Sequence, residues 1–133
     1  MGKKYIGLLS FIVILASFLL GSCGGNADSA SNSTEGGAQL FKQATIDNTP
    51  GCKTCHSLEP DTVIVGPSLA GIASRAGNTV PGLSDEEYLR QSILEPDAYV
   101  VEGYPASVMP NVWVEKLNEE QVNSLVDYLL TLK

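Results

Sequence analysis

Two cysteines and a histidine lie together in the run Cys52-Lys53-Thr54-Cys55-His56. Histidine occurs only once in the 133 residues, and the third cysteine, Cys23, is distant from this run. Two thiols separated by two residues and followed at once by an imidazole form the C-x-x-C-H pattern of covalent haem attachment. Both thiols can then form thioethers on one porphyrin edge while the imidazole binds the iron. The run therefore predicts one haem c on Cys52, Cys55 and His56.

The iron of such a haem needs a ligand on its opposite face. A second imidazole is excluded because the chain has one histidine. Two methionines remain, and Met1 belongs to a segment expected to be removed, which leaves Met109. Pro110 follows it and restricts the backbone that presents the thioether. Histidine and methionine ligation raises the reduction potential of a haem, so these residues predict an electron carrier and not an enzyme.

Other chemistries use part of the same pattern. C-x-x-C occurs in zinc ribbons and in thioredoxin-like sites. A structural zinc site needs four ligands, however, and the chain offers only Cys52, Cys55, His56 and the distant Cys23. A thioredoxin-like site should follow a strand, and no strand pattern precedes Cys52. A haem enzyme of the peroxidase or reductase type is a further alternative, which requires an open sixth position on the iron. The last alternative is a structural subunit, in which the haem only supports the fold.

The first 22 residues are typical of a bacterial lipoprotein signal. Lys3 and Lys4 precede an apolar run from Ile6 to Leu20, and small residues then lead to Cys23. We expect cleavage before Cys23 and lipidation of its thiol, which would place the domain outside the cytoplasm on a bacterial cell membrane. An uncleaved membrane span is the alternative, although the apolar run is shorter than the roughly 20 residues that a span needs.

The segment after Cys23 is rich in Gly, Ser and Asn, so residues 23–38 are expected to form a lipidated cysteine and a flexible linker. Such a linker would reach about 20 Å on average and about 50 Å when stretched. Residues 39–133 then form one small domain. The net charge is −7, and loss of Lys3 and Lys4 would leave 6 basic against 15 acidic residues, a net charge of −9. This acidity argues against nucleic acid and favours a partner with a basic patch.

Helical periodicity predicts an all-α domain of four to five short helices joined by long loops. We expect helices over 37–44 and 68–76, the second ending at Gly77. Capping boxes at Ser84–Glu87 and Asn118–Gln121 predict the starts of two more, the first ending before Pro96. Between 97 and 117 no helical period is found, and long loops of this kind are usually functional. Met109 lies in that loop.

The chain resembles class I c-type cytochromes. The resemblance rests on Gly37-x-x-x-Phe41, Cys52-x-x-Cys55-His56, Gly66-Pro67-Ser68-Leu69-x-Gly71, Met109-Pro110 and Tyr128. It implies that the first and last helices cross at right angles, with Gly37 allowing close approach while Phe41 packs against Tyr128. It also implies that the Pro67 carbonyl accepts a hydrogen bond from His56.

The resemblance also implies haem contacts for three further residues, each of which has an alternative role. Arg75 would approach a propionate, or it is a solvated charge at a helix end. Tyr104 and Trp113 would wall the porphyrin or bond a propionate, or they are core aromatics.

A closer likeness covers Tyr88 to Tyr104, in particular Pro96-x-Ala98-Tyr99-Val100-Val101-x-Gly103-Tyr104. This stretch is similar to the cytochrome c domains of haem–copper oxidases and to the monohaem lipoprotein cytochrome of alternative complex III, a quinol-oxidising membrane assembly. The resemblance implies a partner of that kind, with a soluble acceptor as a further one. The lysine-rich docking ring frequent in the family is absent.

Overall fold

The computed structural model describes residues 27–133, with side chains from residue 30 onward. Within that part, four α-helices are present: α1 (Ala27–Phe41), α2 (Asp85–Leu94), α3 (Trp113–Lys116) and α4 (Glu119–Leu129). Two short strands, β1 (Thr45–Ile46) and β2 (Thr49–Pro50), pair antiparallel after α1. Three 3-10 segments complete the elements, at Cys52–Thr54, Ile72–Ser74 and Ala76–Asn78. The predicted all-α class is confirmed.

The crossing of α1 and α4 is the centre of the fold. Gly37 lies at the point of closest approach, where an added Cβ would overlap the carbonyl oxygen of Ser124 and lie 2.9 Å from the Cβ of Tyr128. One turn further on, the rings of Phe41 and Tyr128 pack with centroids 5.7 Å apart. The buried core extends from this crossing over one face of α2 and includes Leu40, Phe41, Ile46, Ile72, Tyr88, Leu89, Ile93, Trp113, Val122, Leu125, Val126 and Leu129.

Both predicted capping boxes are present. At α2 the Ser84 side chain accepts from the Glu87 backbone N–H while the Glu87 carboxylate accepts from the Ser84 backbone N–H. Asn118 and Gln121 make the same reciprocal pair at the start of α4. Each box satisfies backbone donors that have no partner within the helix. Helix α2 ends at Leu94, two residues before Pro96, as expected.

The first helix begins ten residues earlier than the sequence pattern indicates. It spans Ala27–Phe41 and not 37–44, so most of the predicted flexible linker is helical. Ser33 Oγ donates to the Asp127 carboxylate of α4 at 2.6 Å, which ties this early part of α1 to the fold. The composition misled because glycine and serine have low helix propensity, whereas tertiary packing supplies most helix stability in proteins. The signal peptide at 1–22, Cys23 and residues 24–26 lie outside the described residues.

Two other element predictions were wrong. Residues 68–76 form no α-helix. Two 3-10 segments stand there instead, because Gly71 adopts a left-handed conformation with φ +65° and breaks the helical path. Gly77 lies inside the second segment and does not follow a helix end. In the loop expected to lack helix, Trp113–Lys116 form the single turn of α3. Among residues 27–133, no helix combines the length and the hydropathy that a bilayer span requires.

Candidate haem site

The attachment run is wound into a compact turn. The backbone N–H groups of Cys55 and His56 both donate to the Cys52 carbonyl, at 3.1 and 2.9 Å. Thr54 Oγ1 donates to the Gly51 carbonyl at 2.6 Å and closes the turn from its other side. This winding directs Cys52, Cys55 and His56 at one cavity. Both thiols are half-buried, and they form no disulfide with each other. Burial, more than the nearby Cys55, raises the pKa of the Cys52 thiol.

The ring of His56 is oriented by the loop that follows the run. Its Nδ1 lies 2.9 Å from the carbonyl oxygen of Pro67. A carbonyl can only accept, so Nδ1 carries the proton and the lone pair of Nε2 is free for a metal. Burial lowers the pKa of His56, with the Pro67 hydrogen bond opposing it, which favours this neutral form. Gly66 completes the support, because a Cβ there would lie 2.5 Å from the ring Cε1.

A cavity of about 300 Å³ lies against this turn, within the usual size range of cofactor sites. It brings together every predicted haem-contacting residue: Cys52, Cys55, His56, Pro67, Arg75, Tyr104, Met109 and Trp113 all line it. Met109 is half-buried and packs against the core. The remaining wall is largely apolar and comes from α1, α2 and α4, including Phe41, Tyr88, Leu89, Ile93, Leu125 and Leu129. The fold therefore closes around this site.

Trp113 provides an independent test of whether the cavity fits a haem. The side chain is 3% exposed, lines the cavity, and has an indole Nε1–H with no hydrogen-bond partner among the described residues. A buried donor without a partner is costly, and such groups in native proteins are normally satisfied by something. A carboxylate of a bound molecule, such as a propionate of a haem, would satisfy it. The donor set and the cavity thus fit the predicted cofactor.

Arg75 and Tyr104 line the cavity, but the hydrogen bonds that they donate are to the protein backbone. The exposed guanidinium of Arg75 donates to the carbonyls of Ser68 and Ala70, at 2.7 and 2.5 Å. In this position it holds the loop that follows Pro67. Tyr104 is half-buried and its backbone N–H donates to the Val101 carbonyl at 3.1 Å.

Some residues at the site were not singled out from the sequence. Tyr88 and Leu89 line the cavity from α2, and both are buried. Tyr99 packs edge-on against Tyr88 with centroids 6.1 Å apart. Asp97 binds the loop that carries Met109. Only a turn signal around Pro96 marks Asp97 in the sequence, because its partners are 10 and 14 residues away.

A family model for cytochrome c matches residues 34–133. The chain belongs to the cytochrome c family. Cytochrome c2 iso-2 of Magnetospirillum molischianum is 35% identical over 88 residues, which cover 62% of this chain and 91% of that relative. Cytochrome c2 of Rhodopseudomonas palustris is 28% identical over 119 residues, 73% of this chain and 96% of that relative. Cytochrome c2 iso-2 of Magnetospirillum fulvum is 33% identical over 87 residues, 61% of this chain and 91% of that relative.

Membership confirms three of the expectations. The protein is a class I monohaem c-type cytochrome with the fold of that class, it carries one covalently attached haem c, and it transfers electrons. The matched region begins at Thr34, inside the stretch that composition assigned to a linker. The family model thus includes α1 from Thr34 onward, and it begins one residue after Ser33, which contacts Asp127.

Proposed function

We propose that this cytochrome is a membrane-tethered carrier of single electrons whose haem is bound by Cys52 and Cys55 and ligated by His56 and Met109. The observation that supports it most is the convergence of these four side chains on one cavity. The two cysteines share a turn with the histidine, whereas the methionine comes from a separate loop. That arrangement is suited to holding a flat cofactor by one edge and ligating its metal from both faces.

The protein's residues have distinct tasks in this proposal. When bound, the haem supplies a one-electron couple between ferrous and ferric iron. The Pro67 carbonyl holds the His56 ring with Nε2 free, and a histidine oriented in this way is a better donor to a metal. Trp113 Nε1–H would donate to a propionate of the haem. The apolar wall excludes water, which tunes the potential. One electron enters and one leaves, with no bond changed in a substrate.

The location and the partners are proposed from the sequence. Residues 1–22 direct export and are removed, and a lipid on Cys23 anchors the protein on the extracytoplasmic face of a bacterial membrane. The partner is a membrane redox complex of the quinol-oxidising kind, similar to alternative complex III, or a terminal oxidase. The stretch from Tyr88 to Tyr104 supports these partners, as does the net charge of −7, which favours a basic docking surface. Tethering would raise the effective concentration near such a partner.

The ligation is tested on the purified haem protein and on Met109→Ala. We expect haem that resists extraction with acidified acetone, because thioethers survive it. The oxidised protein should show the weak long-wavelength band of methionine-ligated ferric haem, and Met109→Ala should lose it. Extractable haem would exclude the thioethers. A wild-type protein without the band would indicate an open sixth position and favour the haem-enzyme alternative.

The tether is tested by Cys23→Ser and by gentle detergent extraction. The variant should appear as a soluble, redox-active domain, since the proposed haem-binding residues lie between 52 and 113. The wild-type protein should remain with the membrane and co-purify with a quinol-oxidising complex or an oxidase. A Cys23→Ser protein that stays membrane-bound would contradict the lipid anchor.

A further inference from the structure

The loop that carries Met109 is held by one carboxylate. The Ser107 backbone N–H donates to Asp97 Oδ1 at 2.7 Å, and Ser107 Oγ donates to Oδ2 at 3.1 Å. Asn111 Nδ2 donates to the same Oδ2 at 2.7 Å. Ser107 lies two residues before Met109 and Asn111 two residues after it. The carboxylate therefore grips the chain on both sides of the proposed ligand.

The rest of the loop offers little other support for this position. In the described residues, no backbone–backbone hydrogen bond is found within or to residues 105–111, the part of the loop around Met109. Ser107 has a positive φ of 60°, a conformation that is costly for a residue with a side chain and that surrounding contacts must maintain. Its backbone and side chain both donate to Asp97, which supplies such contacts.

Asp97 is itself well placed to act as an anchor. Its side chain is exposed, and it follows the buried Pro96, three residues beyond the end of α2, a helix that packs in the core. The hydrogen bonds from Ser107 and Asn111 lower the pKa of Asp97 below its ordinary value of 3.8, so the carboxylate is charged near neutral pH. Hydrogen bonds to an ionised acceptor are stronger than those between neutral groups.

We propose that Asp97 is the positioning residue for Met109, holding the thioether at the iron by clamping the loop on either side of it. This inference rests on the proposed function, in which Met109 is the second axial ligand. Asp97 acts through Ser107 and Asn111 and not by its own contact with the metal. Partners of this kind orient metal ligands, and their loss typically costs about 10- to 100-fold in affinity.

The test uses imidazole as a competitor for the Met109 position in the ferric, haem-loaded full chain. Asp97→Ala should bind imidazole about 10- to 100-fold more tightly than wild type, since the loop no longer holds the thioether in place. Its long-wavelength methionine band should weaken. Asp97→Asn retains one oxygen acceptor and should fall between the two. Glu102→Gln is the control, because it removes a charge from the same loop. The Glu102 side chain is exposed and makes no hydrogen bond among the described residues, so this variant should behave as wild type.

A second variant covers the case in which Asp97→Ala fails to fold. Ser107→Ala combined with Asn111→Ala deletes both side-chain hydrogen bonds to Asp97 while the carboxylate and the Ser107 backbone bond remain, and it should also bind imidazole more tightly. If Asp97→Ala or this double variant takes up imidazole no more tightly than Glu102→Gln, the clamp does not exist. If the wild type lacks the methionine band and is unaffected by Met109→Ala, the failure lies in the proposed ligation and not in Asp97.

Discussion

His56 and Met109 are held by different means. The histidine is one residue from a thiol, in a turn closed by local backbone hydrogen bonds, and the Pro67 carbonyl and Gly66 restrict its ring. The methionine lies in a long loop and depends on Asp97. If both ligate the iron, the histidine side is rigid by construction and the methionine side is the one that can be displaced.

Trp113 gives a prediction at the level of a single atom. In Trp113→Phe the indole N–H is lost, and a hydrogen bond to a charged group is worth about 1.5–3 kcal/mol. We expect a lower midpoint potential, because a propionate without this donor places more negative charge near the iron and favours the ferric state. The pH range in which the potential changes should also move to higher pH. The reason is that loss of the donor destabilises the ionised propionate and so raises its pKa.

Potentiometric titration across a pH range measures both effects of Trp113→Phe. Val114→Ala, at the adjacent residue that is 63% exposed, is the control and should change neither. If Trp113→Phe loses stability but keeps the potential and its pH dependence, the indole would be a packing residue only.

At the scale of elements, two adjacent glycines of α1 have opposite surroundings. A Cβ on Gly37 would overlap the Ser124 backbone, whereas a Cβ on Gly36 would meet nothing closer than Ser124 Oγ at 3.8 Å. Gly37→Ala should therefore force α1 and α4 apart and lower the free energy of unfolding by about 1–3 kcal/mol or more. Gly36→Ala should be neutral or raise it by up to about 1 kcal/mol, because alanine is the better helix former.

Denaturant unfolding of both haem proteins, with the slope compared, measures the difference between the two glycine variants. Equal effects of the two substitutions would show that the close approach at Gly37 is not what holds the helices together.

The capping box of α2 predicts a pH dependence. The Glu87 carboxylate accepts from Ser84 N and Ser84 Oγ, both at 2.8 Å, and these bonds lower the pKa of Glu87 below its ordinary value of 4.5. Because the folded state has the lower pKa, the charged group stabilises the protein fully above the unfolded value. This contribution is lost as the pH falls through the folded value. Glu87→Gln should remove it.

The unfolding free energy of wild type and Glu87→Gln, measured at a series of pH values, should differ most above pH 4.5 and converge in more acid solution. Glu86→Gln removes a charge from the same helical turn without touching the box, and serves as control. A gap that stays constant with pH would contradict the linkage.

For the whole molecule, the net charge predicts how the protein associates with a partner. The chain has 15 acidic and 8 basic residues, so its net charge is −7. Association with a basic partner should then be steered by long-range attraction, which salt screens over about 10 Å at 0.1 M.

The rate of electron transfer to a positively charged redox protein should therefore fall as salt is raised. Stopped-flow measurement at several ionic strengths gives this dependence, with a neutral small-molecule reductant as control, whose rate should hardly change. A rate that rises with salt for the basic partner would show that the surface near the haem does not carry the acidity of the whole chain.

The sequence alone determined the features that depend on neighbours along the chain. The C-x-x-C-H turn and the two capping boxes can be recognised from spacing, because each depends on residue types at set intervals. The placement of Gly37, Phe41 and Tyr128 at the helix crossing followed only from the resemblance to class I c-type cytochromes. Only the tertiary structure decided where α1 begins, that residues 68–76 do not form an α-helix, and that Asp97 reaches Ser107 and Asn111. The start of α1 and the partners of Asp97 depend on contacts between distant segments, such as Ser33 with Asp127, and the path of residues 68–76 depends on the left-handed conformation of Gly71. Such features override helix propensity because propensity is a weak local preference.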